Sequence, residues 1–424
     1  MVEGYANMMQ KRQIFKIKVC SIFIVFSLWG CTAKNKRKIP PKVCKLKNLI
    51  ILPVDIKPLK SIHLSRKTVY KDTFSVGWYD KGIPGFGWFG GMASDASGRV
   101  YIADFSSGIT IHVFSSEGRY LKDLGRKGNG PGEFQSIADM RINDNRLYAL
   151  DSRQYRINVY SLDSLAYSHI IQLKPFDDKQ DSISGLRGWF IYKRFFINKD
   201  TMLAMFMKHP RDTRFGAPTY NLGKKRIRKF YFMNADGKII SNELFEQRGP
   251  KDLIAKVEGH NLFNVVPLPF LGRSLRTISG HHYIYTAWSE DFLIKAYNPA
   301  GHYLHAFYVP FRKRKLVKKN ILKRFDKNDR RNRSLVKHAD LPETWPALNS
   351  LTVDEKDRLW ISTIVENDSI YQWWVLDKQG KLLARFKWPK NRQIELVKNG
   401  SLYIREVNDH TGLQKVIKYK FEMD

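Results

Sequence analysis

The feature that most constrains this chain is a pair of β-rich runs around a short turn, repeated along its 424 residues. Five copies of this pattern occur, at residues 112–124, 158–170, 230–242, 295–307 and 374–386. A further strand-like run precedes each copy, at residues 97–104, 144–151, 198–206, 280–287 and 356–363. A sixth run of this second kind lies at 398–406. Most of the turns contain glycine, which supplies the positive φ of a tight hairpin.

Six copies of a four-stranded unit predict an all-β fold in which every sheet buries its two faces against its neighbours. We therefore predict a six-bladed β-propeller of four-stranded antiparallel blades over residues 48–424. The last unit stops after its third strand, at residues 413–424. We expect the N-terminal run at 61–70 to supply the missing strand, because that would close the last blade and remove an open edge.

The stretch GRKGNGPGEF, at residues 125–134, holds four glycines and a proline. This composition excludes a helix and a central strand. The stretch matches neither the G-x-x-x-x-G-K-[ST] loop nor the G-x-G-x-x-G turn that binds phosphates. We interpret it as the connection between blades one and two, with Phe134 placed in the seam between them.

Three segments carry a resemblance to a known family. The sequence LGRKGNGPGEF at 124–134 and the following residues 137–163 resemble six-bladed propeller lipoproteins of Bacteroidota and similar bacteria, which are related to NHL-repeat propellers. Residues 341–362 are similar to the entry into blade five in that family. The resemblance implies the fold and an envelope location. It implies no chemistry, because most members of the family have no assigned activity.

Residues 1–30 have the pattern of a bacterial lipoprotein signal peptide. Basic residues at 11–18 precede an apolar run at 19–29, and LWGC at 28–31 resembles a lipobox. We expect Cys31 to be lipidated and residues 31–47 to form a tether. This predicts a protein anchored to an envelope membrane, on the periplasmic or the surface side of the outer membrane. A secretory signal or an anchor without lipid is the alternative.

One insertion between blades four and five contributes +11 to the formal net charge of +33. Residues 312–338 contain thirteen Lys or Arg against two Asp, and apolar residues within them recur at helical spacing. The pattern predicts a basic amphipathic helix that contacts an anionic lipid surface or a polyanionic glycan. The contact residues would be Lys318, Lys319, Lys323 and Arg324. A solvated basic face is the alternative, and the absence of a nucleic-acid-binding motif leads us to expect no nucleic-acid partner.

In a propeller, the loops that join strands two and three lie on the same face as the connections between blades. That face is the default ligand site. Its candidate ligand residues are Asp104, Asp151, Arg153, His209, Glu366, Asp368 and His410. Asp104 and Asp151 both end a second strand, and this repeated position favours carboxylates that accept N–H bonds within their own loops.

The sequence assigns no catalytic residue and no metal ligand. It has no G-x-S-x-G elbow, no paired cysteines of the zinc-binding type and no diagnostic spacing among His209, His281, His282 and His410. The favoured function is therefore a binding module with an unknown protein or small-molecule partner. A metal-dependent lyase or hydrolase of the NHL-propeller type on the same face is the alternative, and any cofactor is unknown.

Overall fold

The computed structural model describes residues 39–70, 89–104, 109–177, 185–208, 226–251, 253–256, 263–266, 268, 270–323, 333–334, 336–337, 339, 341–367, 369–407 and 414–424. The chain is an all-β, six-bladed propeller, as the repeat predicts. Helix α1 (Pro41–Cys44) and strands β1 (Leu49–Ile51) and β2 (Ile62–Tyr70) precede the first blade.

Blades one to three follow in chain order. Blade one consists of β3 (Phe89–Ser94), β4 (Val100–Asp104), β5 (Thr110–Phe114) and β6 (Tyr120–Leu124). Blade two consists of β7 (Asp139–Asn143), β8 (Arg146–Asp151), β9 (Arg156–Ser161) and β10 (Ala166–Gln172). Blade three consists of β11 (Phe190–Asn198), β12 (Thr201–Met207), β13 (Ile227–Met233) and β14 (Phe245–Arg248).

A separate hairpin, β15 (Leu253–Lys256) and β16 (Phe263–Val266), interrupts the connection from blade three to blade four. Blade four consists of β17 (Ser274–Ile278), β18 (Ile284–Trp288), β19 (Leu293–Tyr297) and β20 (Tyr303–Tyr308). Helix α2 (Lys318–Leu322) lies in the basic insertion. Blade five consists of β21 (Leu348–Val353), β22 (Leu359–Ile364), β23 (Ile370–Leu376) and β24 (Leu382–Pro389). Blade six contains β25 (Arg392–Lys398), β26 (Ser401–Val407) and β27 (Gln414–Met423).

The N-terminal strand closes the last blade, which confirms the prediction for residues 61–70. Strand β2 is the outer strand of blade six and pairs antiparallel with β27, from Ile62 opposite Met423 to Tyr70 opposite Val416. The ring is therefore closed by hydrogen bonds between the two ends of the chain.

The N-terminal segment also covers blade four, which the sequence did not predict. Strand β1 adds a fifth, parallel strand beside β20, with Ile50 opposite Phe307. Val43 of α1 is completely buried with Ile39 against Tyr308. Within the predicted tether, the residues from Ile39 onward are consequently packed against the propeller, because these apolar side chains cover the edge of blade four. Residues 31–38 lie outside the described residues.

One turn design, which the sequence analysis missed, stabilises two blades in the same way. Asp95 accepts hydrogen bonds from the backbone and Nε of Arg99 and from the hydroxyl of Tyr101. In blade five, Asp354 accepts the equivalent bonds from Arg358 and from Nε1 of a tryptophan two residues later. The identical spacing was visible in the sequence, and it ties the turn between the first two strands to the blade core.

Neither helix of the described residues approaches the length of a membrane span, since they contain four and five residues.

Candidate functional site

The connections between blades and the loops between second and third strands share one face of the ring, here called the loop face. Antiparallel order in every blade places the described residues of the connections 125–138, 173–189, 249–273 and 309–347 on this face. The sequence predicts the candidate ligand residues on this same face.

Asp151 is a structural carboxylate, as its position at the end of a second strand suggested. The side chain is completely buried. Its Oδ2 accepts the backbone N–H of Gln135 at 2.7 Å, and its Oδ1 accepts the hydroxyl of Ser136 at 3.0 Å and the N–H of Arg153 at 3.1 Å. Asp151 thus fastens the inter-blade connection to its own loop, while the Arg153 side chain stays exposed.

The glycine-rich connection is also structural. Glu133 accepts hydrogen bonds from Nε of Arg126 and from the N–H of Gly130, both at 2.8 Å. The carbonyl oxygens of Asn129, Gly130 and Glu133 accept hydrogen bonds from the buried guanidinium of Arg156 at 2.6–3.0 Å. The loop directs carbonyl oxygens at a cation, so its geometry is that of a cation cradle and not of a phosphate-binding nest.

Asp104 is buried within blade one beside a histidine that the sequence analysis did not select. Nε2 of His112 lies 3.6 Å from Oδ2 of Asp104, and its Nδ1 lies 2.6 Å from Oδ1 of Asp123. The His112 residue is only 2% exposed and its ring packs against Tyr120. This arrangement links three strands of one blade and leaves the imidazole without access to solvent.

The remaining predicted residues separate into three groups. Glu366 is exposed on the loop face. His281 and His282 lie in the turn between β17 and β18, which is on the opposite face of the ring; there Nδ1 of His281 lies 2.9 Å from Oδ2 of Asp357. Burial and the charge of Arg141 lower the pKa of His282. The other residues lie outside the described residues: His209, Asp368, His410 and Arg324.

A cavity brings Glu366 together with the basic insertion. This insertion cavity has a volume of about 250 Å³. Its lining residues are Arg314, Lys315, Val317, Asn320, Ile321, Trp345 and Glu366. The indole of Trp345 lies between two cations, the Arg314 guanidinium carbon at 5.3 Å and Nζ of Lys390 at 5.9 Å from the ring centroid.

The insertion packs its apolar residues against the propeller. Leu316 and Ile321 are buried in a cluster with Val336 and Trp345. Nζ of Lys318 donates hydrogen bonds to the carbonyl oxygens of residues 337 and 339, both at 2.9 Å. The apolar side of the predicted amphipathic helix is therefore used inside the protein. Lys319 and Lys323 are exposed.

A second cavity, here called the aromatic cavity, lies between blades two and three and has a volume of about 510 Å³. Its lining residues are Leu150, Ser152, Tyr155, Pro175, Phe176, Gly188, Trp189, Phe190, Ile191, Tyr192, Lys193 and Arg194. Tyr155 and Tyr192 are 43% and 56% exposed at its rim. The guanidinium carbon of Arg194 lies 5.3 Å from the ring centroid of Tyr155. Aromatic rings and cations therefore meet on the loop face.

A third cavity, here called the seam cavity, lies between blades three and four and has a volume of about 250 Å³. It is lined by Lys42, Leu46, Glu246, Gln247, Arg248, Ser274, Thr286, Ala287, Trp288, Asp291, Leu293, Lys295 and Tyr297. Most of these residues lie within strands and read as ordinary blade residues in the sequence, so none of them is among the candidate ligand residues predicted above. In the part of the chain that the structure describes, no group of three or more His, Cys, Asp or Glu could hold a metal ion.

Comparison with known proteins agrees with the fold. Residues 93–237 match the model of the DUF5128 family, which is described as a 6-bladed beta-propeller. The match runs from blade one into blade three and confirms the resemblance to six-bladed bacterial propellers. No curated protein matches the sequence.

Two solved structures from Bacteroides are similar to this chain. A member of the DUF4221 family from Bacteroides vulgatus is 11% identical, with a TM-score of 0.50; the match covers 86% of this chain and 99% of that one. A putative exported protein from Bacteroides fragilis is 12% identical, with a TM-score of 0.45 over 88% of this chain and 99% of that one. At this level of identity, the first of these likenesses shows the shared fold alone.

Proposed function

We propose that this six-bladed β-propeller is a binding protein of the bacterial cell envelope, anchored by lipid at Cys31, and that its loop face binds an acidic glycan. The signal-peptide pattern that ends at Cys31 supports the envelope location. The net charge of +33 favours an anionic partner. The aromatic cavity supports a sugar ligand.

The observation that carries this proposal is the pairing of exposed rings with a buried guanidinium in the aromatic cavity. Tyr155 and Tyr192 present flat rings at the rim, and such rings stack on the apolar C–H faces of sugars. Nε of Arg194 is buried and has no hydrogen-bond partner among the described residues. A ligand carboxylate would satisfy this donor with a charge-assisted bond. The cavity volume lies within the range of roughly 300–1,000 Å³ that is usual for ligand sites.

The test is calorimetric titration with a trisaccharide of galacturonic acid and with its methyl ester, which has the same rings without the charges. We expect the acid to bind at least tenfold more tightly than the ester, because only the acid can pair with Arg194. Tyr192→Ala should weaken binding of the acid at least tenfold. Leu121→Ala removes a side chain of similar exposure on the outer strand of blade one and serves as the control. Equal affinities for acid and ester, or an unchanged Tyr192→Ala variant, would contradict the proposal.

The basic insertion supplies a second, weaker contact with an anionic membrane in this proposal. Leu316 and Ile321 are already buried, so the contact would depend on charge and not on inserted apolar residues. Co-sedimentation with vesicles that contain phosphatidylglycerol should therefore decrease steeply with salt.

Two matched double variants each reverse the charge of two lysines. Lys319→Glu with Lys323→Glu should abolish vesicle binding. Lys378→Glu with Lys381→Glu makes the same charge change at an exposed turn on the opposite face of the ring and should preserve it. Loss of binding in both double variants would mean that net charge alone, and not the insertion, determines attachment.

A further inference from the structure

The seam between blades three and four is wider than the others at the centre of the ring. The inner strands β11 and β17 approach each other less closely than the other five pairs of neighbouring inner strands. On the side of the ring opposite the loop face, the seam is apolar. Ile278 and Ile284 pack there with Phe245 and Tyr297. Farther from the centre of the ring, the outer strand β14 of blade three and the strands β18 and β19 of blade four line the more polar seam cavity.

The seam changes from apolar to polar at one row of residues that lie side by side in blade four. Arg276, Thr286 and Lys295 are direct cross-strand partners on β17, β18 and β19. Arg276 contacts the rings of Phe195 and Phe230 in blade three, with its guanidinium carbon 4.0 and 4.7 Å from their centroids. Two cations and a hydroxyl therefore occupy a level at which a blade surface is normally apolar.

No residue that the structure describes forms a hydrogen bond or an ion pair with the ammonium group of Lys295, whose pKa is shifted by burial alone. The side chain is half-buried in the seam cavity, and burial lowers its pKa. A desolvated cation without a counter-ion is costly for the folded state. An anion in the cavity would remove this cost.

The other charged side chains in and around the cavity already have partners, which are hydrogen-bond acceptors, ions of opposite charge or an aromatic ring. Nη1 of Arg276 donates to Oε1 of Gln247 at 3.1 Å, and burial together with the charge of Arg228 lowers the pKa of Arg276 to about 9. At the rim of the cavity, Nζ of Lys42 lies 2.9 Å from Oδ2 of Asp291. Glu246 lies 3.7 Å from Nζ of Lys229, and the guanidinium of Arg248 lies 5.9 Å from the centroid of the Trp288 ring. No rim carboxylate forms an ion pair with Lys295.

The polar groups beside Lys295 can orient a ligand. Burial raises the pKa of Tyr297 to about 12 and outweighs the hydrogen bond from Thr286, which lowers it, so the phenol stays protonated and can donate. Trp288 and Leu293 give the cavity an apolar wall. A volume of about 250 Å³ corresponds to about eight water molecules in liquid water, which limits the ligand to a small molecule.

We propose that the seam cavity binds a small organic carboxylate, with the ammonium of Lys295 as its ionic partner, the hydroxyl of Tyr297 as its hydrogen-bond donor and Trp288 as its apolar wall. This site lies one seam away from the aromatic cavity and does not depend on glycan binding.

The experiment uses benzoate and its neutral isostere benzamide as probes, measured by ligand-observed NMR with the full soluble domain. Benzoate should bind at least tenfold more tightly than benzamide. Lys295→Met should weaken benzoate at least tenfold and change benzamide less than twofold. Lys122→Met, at an exposed position of blade one, should change neither. Absence of benzoate binding, or equal binding by Lys295→Met and the unmodified protein, overturns the proposal.

A second measurement tests the same site in the unmodified protein, so it does not require the Lys295→Met variant to fold. Acetic anhydride at pH 8 acetylates unprotonated lysines, and mass spectrometry gives the rate at each site. Lys295 should react measurably, and saturating benzoate should slow its reaction at least fivefold without slowing that of Lys122. Equal slowing of both lysines, or of neither, would contradict an anion bound at Lys295. Binding of the galacturonate trisaccharide should be unchanged in Lys295→Met, so that failure of one site is distinguishable from failure of the other.

Discussion

Between blades one and two, the seam is filled by Phe134, which is completely buried beside Leu147 and Tyr160. Between blades three and four, the seam holds the side chains of Arg276 and Lys295 and an open cavity. Both seams join two sheets of the same design. They differ in what the connecting segment between the blades contributes.

The connection between blades one and two folds back onto its own seam. At Gly125, with a φ of +69°, an added Cβ would lie 2.5 Å from the carbonyl oxygen of Gly132 and 2.5 Å from the Phe134 ring. Only glycine allows the backbone to approach this closely. The connection between blades three and four instead forms the separate hairpin β15–β16.

The two seams also treat a buried cation differently. The two terminal nitrogens of Arg156 donate to three backbone carbonyl oxygens, whereas the ammonium of Lys295 has no partner among the described residues. A buried cation that several backbone carbonyl oxygens hold in place is part of the scaffold, and one that is left without a partner is suited to a ligand. The following predictions test this distinction, from the largest expected effect to the smallest.

Deletion of residues 46–70 should abolish cooperative unfolding, so that neither seam survives alone. This segment supplies β2, the outer strand of blade six, and β1, the added strand of blade four. Thermal unfolding followed by near- and far-UV circular dichroism would measure the effect. Deletion of residues 32–38, which precede the packed helix α1, is the control and should leave the midpoint unchanged. A retained midpoint in the longer deletion would show that the ring does not need its terminal strand.

Phe134→Ala should destabilise the protein by about 3–5 kcal/mol, because it leaves a cavity in a seam that has no space to collapse. Urea unfolding measures the change. Trp288→Ala removes a larger ring from the wall of the open seam, where it is only half-buried, and should cost less than half as much. Similar costs at both positions would mean that the two seams are packed alike.

Arg156→Met should destabilise the protein by about 1–3 kcal/mol, because it leaves buried carbonyl oxygens of the glycine-rich connection without a donor. Arg153→Met, at an exposed side chain three residues earlier, is the control and should lie within about 0.5 kcal/mol of zero. Chemical unfolding would compare the two. An Arg156→Met variant of unchanged stability would remove the contrast between a cation held by backbone carbonyl oxygens and one without a partner.

The ring could be predicted from the sequence because its signals are local. Glycines at Gly118 and Gly301 fall at the hairpin turns with φ near +85°, and the missing last strand pointed to residues 61–70. The burial of Phe134 followed from its place after the glycine-rich connection. The turn glycines and the burial of Phe134 depend on residues close together in the chain, and the closing strand follows from a count of the strands in each repeat.

The cavities could not be predicted in this way. Arg276 and Lys295 are nineteen positions apart (295 minus 276), and they become neighbours of Gln247 only when two blades face each other. Nothing in the alternation of either strand marks the seam as open. The roles of Cys31 and His410 lie outside the described residues and stay predictions.

The smallest predicted effect concerns the stability of Lys295→Met as a function of pH. Burial lowers the pKa of Lys295 in the folded state below its value in the unfolded chain. Between those two pKa values the folded protein binds fewer protons than the unfolded one, so the stability of the unmodified protein rises with pH through that window. Below the window the full cost of the buried charge remains. Lys295→Met should therefore be more stable than the unmodified protein at pH 7, by a smaller margin than the changes predicted above. This advantage should shrink as pH approaches 10.5, the pKa of lysine in the unfolded chain.

Other groups also have different pKa values in the folded and unfolded states, namely Lys193, Arg276 and Tyr297. They are present in both proteins, so their contributions cancel when the stabilities of the two proteins are subtracted. Urea unfolding at pH 7, 8, 9 and 10 measures that difference, with Lys122→Met as the control. A difference that does not change with pH would show that Lys295 is as well solvated as a surface lysine, and would remove the physical reason for an anion in the open seam.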